Sequence, residues 1–150
     1  MNANLIRLQG LTFAAKGDSG HWVMLDGPEE LGGADAAARP KELILFGFAG
    51  CTGMDVASIL TKRRRTLDRF EIQVEADVAD THPKVFTHIH LTFLFKGKDL
   101  TPKEVERAIE LSRTKYCGVW AMLKQAVDIT YAYKIMGYKN TDEEMGRDQC

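Results

Sequence analysis

Two cysteines lie in surroundings that favour thiol chemistry. Cys51 ends an apolar run that begins at Leu43, and Cys117 lies between Tyr116 and Gly118. Neither cysteine has a Cys or His neighbour at the spacing of a zinc knuckle, so the two thiols can act together only if the fold brings them into contact. This arrangement is typical of a pair of redox thiols rather than of a structural metal site.

Length and composition predict one globular domain. The chain has 150 residues, of which 45% are hydrophobic and 27% are charged, and this proportion is enough to build a core. We expect a single domain over residues 1–139 and a polar tail over residues 140–150. Cys150 lies in that tail and is expected to be a bystander thiol.

The charge balance argues against a polyanionic partner. Lys and Arg number 20 and Asp and Glu number 21, for a formal net charge of −1. We therefore expect neither nucleic acid nor an anionic membrane as a partner. The N-terminal residues lack the pattern of a secretory signal, which predicts a cytoplasmic protein. Thiols in that compartment stay mostly reduced, so any bond between Cys51 and Cys117 would be transient.

A long apolar helix is predicted to begin at Pro40 and to end at the cations that start at Lys62. Pro40 suits the first helical position, Glu42 lies in the first turn, and the cations complement the helix dipole. Thr52 and Asp55 interrupt the apolar run, which favours a buried helix over a membrane span of roughly 20 apolar residues. Three glycines recur at every third position and predict close packing of another backbone; they are Gly47, Gly50 and Gly53.

Alternating apolar and polar residues predict the strands. We expect them over residues 5–13, 22–25, 70–78, 85–95 and 127–135, with a turn around residues 16–20. The third and fourth strands are predicted to form a hairpin that places Val74 near Ile89. His88 and His90 then share the solvent face of the sheet with Glu75 and Gln73, where they would act as cross-strand partners.

A second helical region is predicted after Thr101. Thr101, Pro102 and Glu104 have the spacing of a capping box with proline at the first helical position. The apolar face is expected to comprise Val105, Ala108, Ile109, Leu111 and Ser112. Gly118 predicts a break before a further segment over residues 119–126, which places Cys117 near a helix N-terminus, where backbone N–H groups stabilise a thiolate.

The order of these elements predicts an α+β fold in which an antiparallel sheet packs with two central helices. The helix over residues 43–60 is so apolar that a small monomer would leave much of it exposed. We therefore expect an intertwined homodimer that covers it.

The motifs around the two cysteines resemble the OsmC/Ohr superfamily, which is named after osmotically inducible protein C and organic hydroperoxide resistance protein. The resemblance rests on residues 40–45, on Gly-Cys-Thr-Gly-Met-Asp over residues 50–55 and on Tyr-Cys-Gly-Val over residues 116–119. It extends from about Leu5 to Ile135 and is nearer to the less characterised OsmC-like branch. The resemblance implies an intertwined homodimer with the thiols close together at its interface.

The resemblance also implies a mechanism. Cys51 would attack the O–O bond of an organic hydroperoxide and become a sulfenic acid, and Cys117 would resolve it as a disulfide. An external dithiol would then reduce the disulfide, with no metal or tightly held cofactor. Such a protein would serve in oxidative or osmotic stress protection.

A buried thiolate needs a nearby cation. Peroxidases of this superfamily use an arginine held by a glutamate directly after the proline that starts the helix. In this chain Lys41 follows Pro40 and the acidic residue is Glu42, one position later. Arg39 and Arg7 are the candidate cations, and we select Arg39 together with Glu42 as the activating pair.

Two other functions compete with a peroxidase. In the first, the chain is a non-enzymatic module whose dimer interface binds a small hydrophobic ligand while the cysteines only fill volume. In the second, His88, His90 and a cysteine hold a metal ion.

Overall fold

Six strands and three α-helices follow one another along residues 1–137, the part of the chain that this computed structural model describes. The strands are β1 (Ala3–Gln9), β2 (Thr12–Gly17), β3 (Trp22–Leu25), β4 (Arg69–Val78), β5 (Phe86–Lys96) and β6 (Asp128–Ile135), and the helices are α1 (Pro40–Lys62), α2 (Pro102–Leu111) and α3 (Gly118–Leu123). The predicted tail over residues 140–150, with Cys150, lies outside the described residues. The α+β class is confirmed.

The chain divides into two compact units, Met1–Phe46 and the residues from Gly47 onward, with the boundary inside α1. Each unit has its own three-stranded sheet, in the order β1-β2-β3 in the first and β4-β5-β6 in the second. The prediction of one antiparallel sheet was therefore wrong, because only the first sheet is antiparallel throughout.

The first sheet corrects the predicted strand over residues 5–13. That segment is a hairpin, with β1 and β2 joined at Gly10, whose φ of +55° is a conformation that glycine adopts without strain. The Arg7 Nε donates a hydrogen bond of 2.8 Å to the Gly10 carbonyl and supports the turn. The turn predicted around residues 16–20 is confirmed, since the Gly20 N–H bonds the Gly17 carbonyl at 3.0 Å.

A buried carboxylate organises the loop that follows β3. Asp26 is 2% exposed and accepts hydrogen bonds from the backbone N–H groups of Gly27, Ala34 and Ala36 and from the Thr12 hydroxyl. Burial acts to raise the pKa of Asp26, but these four donors outweigh it and lower the pKa below its ordinary value of 3.8.

The second sheet is mixed. β4 and β5 pair antiparallel, whereas β6 lies parallel to β5. A parallel pairing needs a crossover connection of a dozen or more residues, and the chain from β5 to β6 supplies it through α2 and α3. The sequence pattern shows that β6 is a strand but does not show its direction.

The predicted hairpin is confirmed, but its register differs by two residues. Val74 lies opposite Leu91 rather than Ile89, so the apolar rows still share one face. His90 pairs with Glu75, and His88 pairs with Asp77. Register shifts by two residues preserve the facing of every side chain, which is why the pattern alone could not distinguish them.

The core of the second unit lies on one face of β5. Ile89, Leu91, Phe93 and Phe95 alternate along this strand and are fully buried. The Phe70 ring of β4 stacks on the Phe95 ring at 4.8 Å. The predicted inner face of α2 is confirmed by its buried residues Val105, Ala108 and Ile109.

Helix α1 buries one narrow stripe and leaves the opposite face open. The stripe repeats every four residues and consists of Phe48, Thr52, Val56 and Leu60. Met54 on the open face is 75% exposed. By length and composition alone, the helix could cross a membrane. Only 28% of its most apolar 18-residue stretch is buried. The exposure expected of this helix in a single chain is therefore observed.

The three glycines of α1 have different neighbours. A Cβ atom added to Gly53 would lie 3.0 Å from the Ile72 side chain of β4, so this glycine permits a close approach. Gly47 and Gly50 have no atom of the described chain within 4 Å of such a Cβ. The close packing predicted for all three glycines is present only at Gly53.

We predict that Asp26→Asn lowers the melting temperature by several degrees. The asparagine amide is neutral, and its NH2 group would face the four hydrogen-bond donors that now surround the carboxylate. Since the folded pKa of Asp26 is lowered, its stabilising contribution is present above the unfolded value and is lost as the pH falls through the folded pKa. Thermal unfolding followed by circular dichroism should therefore show the two proteins converging in acid.

The matched control for this prediction is Asp68→Asn, since Asp68 is an exposed acidic residue. It should leave the melting temperature unchanged at every pH. Equal effects of the two substitutions would contradict the role assigned to Asp26.

Candidate functional site

The fold brings Cys51 and Cys117 together, as the sequence required for a redox pair. Their sulfur atoms and a carboxylate oxygen of Asp55 all lie within 4.8 Å of one another. Both thiols are free, Cys117 is 3% exposed and Cys51 is partly buried. We call Cys51, Asp55 and Cys117 the thiol–carboxylate triad.

Helix α1 supplies two members of the triad from one face. Cys51 and Asp55 are four residues apart, and side chains at this spacing lie one turn above the other. They flank the buried stripe of α1, because Thr52 directly follows Cys51 and is fully buried. In the sequence Asp55 interrupts an apolar run and ends the Gly-Cys-Thr-Gly-Met-Asp motif, and neither pattern predicts that it lies beside both thiols.

Cys117 lies where the chain turns between two helices. One π-helical turn, Ser112–Tyr116, follows α2, and the Cys117 N–H bonds the Ser112 carbonyl at 2.8 Å. Such turns are rare and often mark functional sites. Cys117 then caps α3, since its Sγ accepts a hydrogen bond of 3.3 Å from the Trp120 N–H. The predicted break before a second helix is confirmed.

The surroundings of Cys117 hold its thiol in the protonated form. Burial raises its pKa, and the hydrogen bond and charge interaction with Cys51 raise it further, to about 11. Backbone N–H groups of Trp120 and Val119 act in the opposite direction but do not outweigh burial. A thiol in this state needs to lose its proton before it can act as a nucleophile.

A chain of hydroxyl groups ends on the carboxylate of the triad. The Ser112 hydroxyl donates to Asp55 Oδ2 at 3.0 Å, and since a hydroxyl has one hydrogen, the Thr52 hydroxyl donates to Ser112 Oγ at 2.9 Å. Thr52 and Ser112 are both fully buried. The sequence pattern places Ser112 on the inner face of its helix but does not reveal these polar partners.

An aromatic contact holds the other side of the triad. Phe48 of α1 meets Trp120 of α3 edge to face, with ring centroids 5.1 Å apart. Phe48 lies one turn before Cys51, and Trp120 lies one turn after Cys117. The contact therefore joins α1 to α3 about one turn away from each cysteine along the chain.

The predicted activating residues have partners near the start of α1. The Arg39 guanidinium pairs with Asp35 at 2.6 Å and donates to the Ala37 carbonyl. The Glu42 carboxylate accepts a bond of 2.8 Å from the Arg39 backbone N–H, so it caps the helix rather than holding the guanidinium. The guanidinium of the other candidate, Arg7, donates to Gly10.

Within residues 1–137, the one group of three ligating side chains close enough to share a metal ion is the thiol–carboxylate triad. Two thiols and a carboxylate suit a thiophilic ion such as Zn²⁺. The histidines lie elsewhere: ring nitrogens of His88 and His90 bond the Thr130 hydroxyl at 2.8 and 2.7 Å. The structure thus groups an aspartate, not a histidine, with the cysteines.

The open face of α1 forms a shallow apolar depression with β4. It is lined by Ala49, Gly50, Gly53, Met54, Ala57, Phe70 and Ile72.

Comparison with known proteins gives similarity over most of the chain. A family model described as OsmC-like protein matches residues 32–132. Protein YhfA of Escherichia coli (strain K12) is 38% identical over 136 residues, which are 91% of this chain and 98% of YhfA.

Solved structures extend the similarity. A hypothetical protein from Aquifex aeolicus VF5 is 29% identical, with a TM-score of 0.75 over 89% of this chain and 96% of that chain. An organic hydroperoxide resistance protein OsmC from Legionella pneumophila is 20% identical, with a TM-score of 0.63 over 88% of this chain and 94% of that chain. The latter shares the fold.

We predict that Ser112→Ala destabilises the protein by about 1–3 kcal/mol, because the buried Thr52 hydroxyl then lacks its partner. Thr52→Val should cost less, because the Ser112 hydroxyl still donates to Asp55. The double variant should cost less than the sum, with a coupling of roughly 0.5–3 kcal/mol, since no buried hydroxyl is then left unpaired. Urea unfolding measures all three free energies.

Ser58→Ala is the control, because Ser58 is an exposed serine on the same helix as Thr52. Its effect should be near zero or slightly stabilising. Additive effects of Thr52→Val and Ser112→Ala would show that the two hydroxyls are not coupled.

Proposed function

Because this chain belongs to the OsmC-like protein family, we propose that it is a cysteine-based peroxidase that reduces organic hydroperoxides. The observation that carries the proposal is the proximity of two free thiols, Cys51 and Cys117, within 4.8 Å in the interior of one fold. A carbon-bearing hydroperoxide is the expected substrate because Phe48 and Trp120, each three residues from one of the two cysteines, are buried and in contact with each other.

The reaction would proceed in three steps. The Cys51 thiolate attacks the distal oxygen of the hydroperoxide, the O–O bond breaks, and the alcohol leaves after taking up a proton. The Cys117 sulfur then attacks the Cys51 sulfenic acid, forming the S–S bond and releasing water. An external dithiol supplies the two electrons that restore both thiols.

The more exposed thiol is the better candidate for the first step. Cys51 is partly buried, whereas Cys117 is 3% exposed and its pKa is raised to about 11. A protonated, enclosed thiol is suited to resolve a sulfenic acid on its neighbour rather than to meet the hydroperoxide first. This difference supports the order of the two cysteines.

Arg39 and Glu42 remain the proposed activating pair. To serve a thiolate, the Arg39 guanidinium would have to leave Asp35, whose side chain is 61% exposed. Exposed ion pairs contribute about 0–1 kcal/mol, so this exchange would cost little. Glu42 would then act through the backbone of Arg39, which its carboxylate already binds.

A homodimer is part of the proposal. Phe46 and Met54 on α1 are 58% and 75% exposed, and burying one such side chain contributes about 1.5–3 kcal/mol. A second copy of the chain would cover this face, and the same interface could admit a small hydrophobic substrate. The proposed location is the cytoplasm, where a dithiol reductant is available.

We predict that an excess of cumene hydroperoxide removes two thiols per chain and lowers the protein mass by two hydrogen atoms, because Cys51 and Cys117 form a disulfide. In Cys117→Ser, the sulfenic acid on Cys51 should persist and be trapped by dimedone. In Cys51→Ser, hydroperoxide consumption should fall to the uncatalysed rate. Intact and peptide mass spectrometry measure each product.

These measurements use Cys150→Ser as the background and as the control, since Cys150 is the predicted bystander and its loss should leave turnover unchanged. An unchanged count of thiols after oxidant treatment would contradict the peroxidase. A hydrophobic ligand that copurifies with such an unreactive protein, detected by native mass spectrometry, would favour the non-enzymatic module.

We predict that Met54→Glu weakens self-association roughly 100-fold or more, because it removes a buried apolar side chain and places a charge on the covered face. Lys98→Glu, at an exposed turn, is the control with a new acidic group and should leave association unchanged. Sedimentation velocity over a range of concentrations measures both. A wild-type monomer at micromolar concentration would refute the dimer.

A further inference from the structure

The mechanism above leaves the proton of the resolving thiol without an acceptor. Burial is the largest cause of the raised pKa of Cys117 and does not depend on the state of Cys51, so the resolving thiol starts in its protonated form. The sulfenic acid has the opposite requirement, since its hydroxide is a poor leaving group until it takes up a proton. One group that accepts a proton from Cys117 and returns it to that hydroxide would meet both requirements.

The Asp55 carboxylate is placed to be that group. One of its oxygens lies within 4.8 Å of both sulfur atoms, so the carboxylate borders both reacting centres of the resolving step. Its Oδ2 accepts the Ser112 hydroxyl at 3.0 Å, and Ser112 is itself held by Thr52, so the carboxylate is oriented from behind by two buried hydroxyls. Ser112 therefore positions Asp55, while Asp55 faces the thiols.

Charge balance favours this transfer over ionisation of Cys117 beside a carboxylate that stays unprotonated. If Cys117 ionised beside a carboxylate, two negative charges would lie within a few ångströms of each other in a partly buried site, which is costly. When the proton moves from the thiol to the carboxylate, the triad keeps a single negative charge throughout. The resolving step then needs no additional cation.

We propose that Asp55 is the proton relay of the resolving step. Asp55 accepts the Cys117 thiol proton as the Cys117 sulfur bonds the Cys51 sulfur. The S–O bond of the sulfenic acid breaks, the hydroxide takes the proton from Asp55, and water leaves. The products are the disulfide, one water molecule and the original carboxylate, so atoms and charge balance without a further reagent. This inference rests on the resolving role proposed for Cys117.

The test compares Asp55→Asn with Asp55→Glu in the Cys150→Ser background. The asparagine keeps an oxygen that accepts the Ser112 hydroxyl but cannot take up a proton, whereas the glutamate keeps the acid. After one addition of cumene hydroperoxide, sulfenic acid formation on Cys51 and its conversion to the disulfide are followed as two separate phases in each variant. The conversion to the disulfide should slow about 100-fold or more in Asp55→Asn and recover in part in Asp55→Glu. Rapid-quench trapping with dimedone measures both steps.

A second probe does not depend on peroxide. Equimolar dithiodipyridine reacts with Cys51 and releases one thiopyridone, and attack of Cys117 on the mixed disulfide releases the second. The second phase should slow at least about 10-fold in Asp55→Asn at neutral pH. The difference should narrow as the pH rises toward the Cys117 pKa, because the thiolate then forms without a base. A purely structural role for Asp55 would not give this pH dependence.

The outcomes separate the relay from the peroxidase. A wild-type protein that ignores hydroperoxide but shows the Asp55-dependent second phase refutes the peroxidase and supports the relay. If the wild type reduces hydroperoxide and Asp55→Asn forms the disulfide at the wild-type rate with both probes, the relay is refuted and the peroxidase is not. An absent second phase in the wild type, or an Asp55→Asn defect confined to sulfenic acid formation, also refutes the relay. Asp68→Asn is the matched control for loss of an exposed carboxylate and should match the wild type in every phase.

Discussion

The hydrogen-bonded chain from Thr52 through Ser112 to Asp55 is the interaction on which the arrangement of the two thiols depends. It joins α1 to the π-helical turn before Cys117 and gives both the Thr52 and the Ser112 hydroxyl a hydrogen-bond partner. The chain is also directional, because both hydroxyls donate toward the carboxylate. Breaking it would leave buried polar groups unsatisfied and would release the segment that carries Cys117, so stability and the geometry of the thiols are coupled.

The π-helical turn explains why one hydroxyl and one thiol of the same segment can both face α1. In a regular helix, Ser112 and Cys117 would lie five residues apart and point in different directions. The wider turn instead bonds the Cys117 N–H to the Ser112 carbonyl and brings the chain into an extended conformation at Cys117, which then caps α3. A local irregularity of the backbone thus produces the convergence of the side chains.

Features that depend on local sequence pattern were predicted correctly, whereas features that depend on contacts between distant residues were not. Pro40 and Pro102 marked the helix starts correctly, and the alternation along β5 identified its buried face. Periodicity could not reveal that Gly10 divides one strand into a hairpin, because the apolar pattern continues through the turn. It could not give the direction of β6 either, since a strand reads the same whether its neighbour is parallel or antiparallel.

The role inferred for Asp55 shows the same limit at the level of the site. Its spacing from Cys51 is legible in the sequence, because residues four apart on a helix share a face. The meaning of that spacing depends on Ser112 and Cys117, which come from another part of the chain and approach only in the fold. Taken alone, an acidic residue one turn from a thiol would be expected to oppose ionisation of that thiol. Beside a second thiol that has to lose a proton, the same carboxylate can accept that proton, and the total charge of the triad does not change during the transfer.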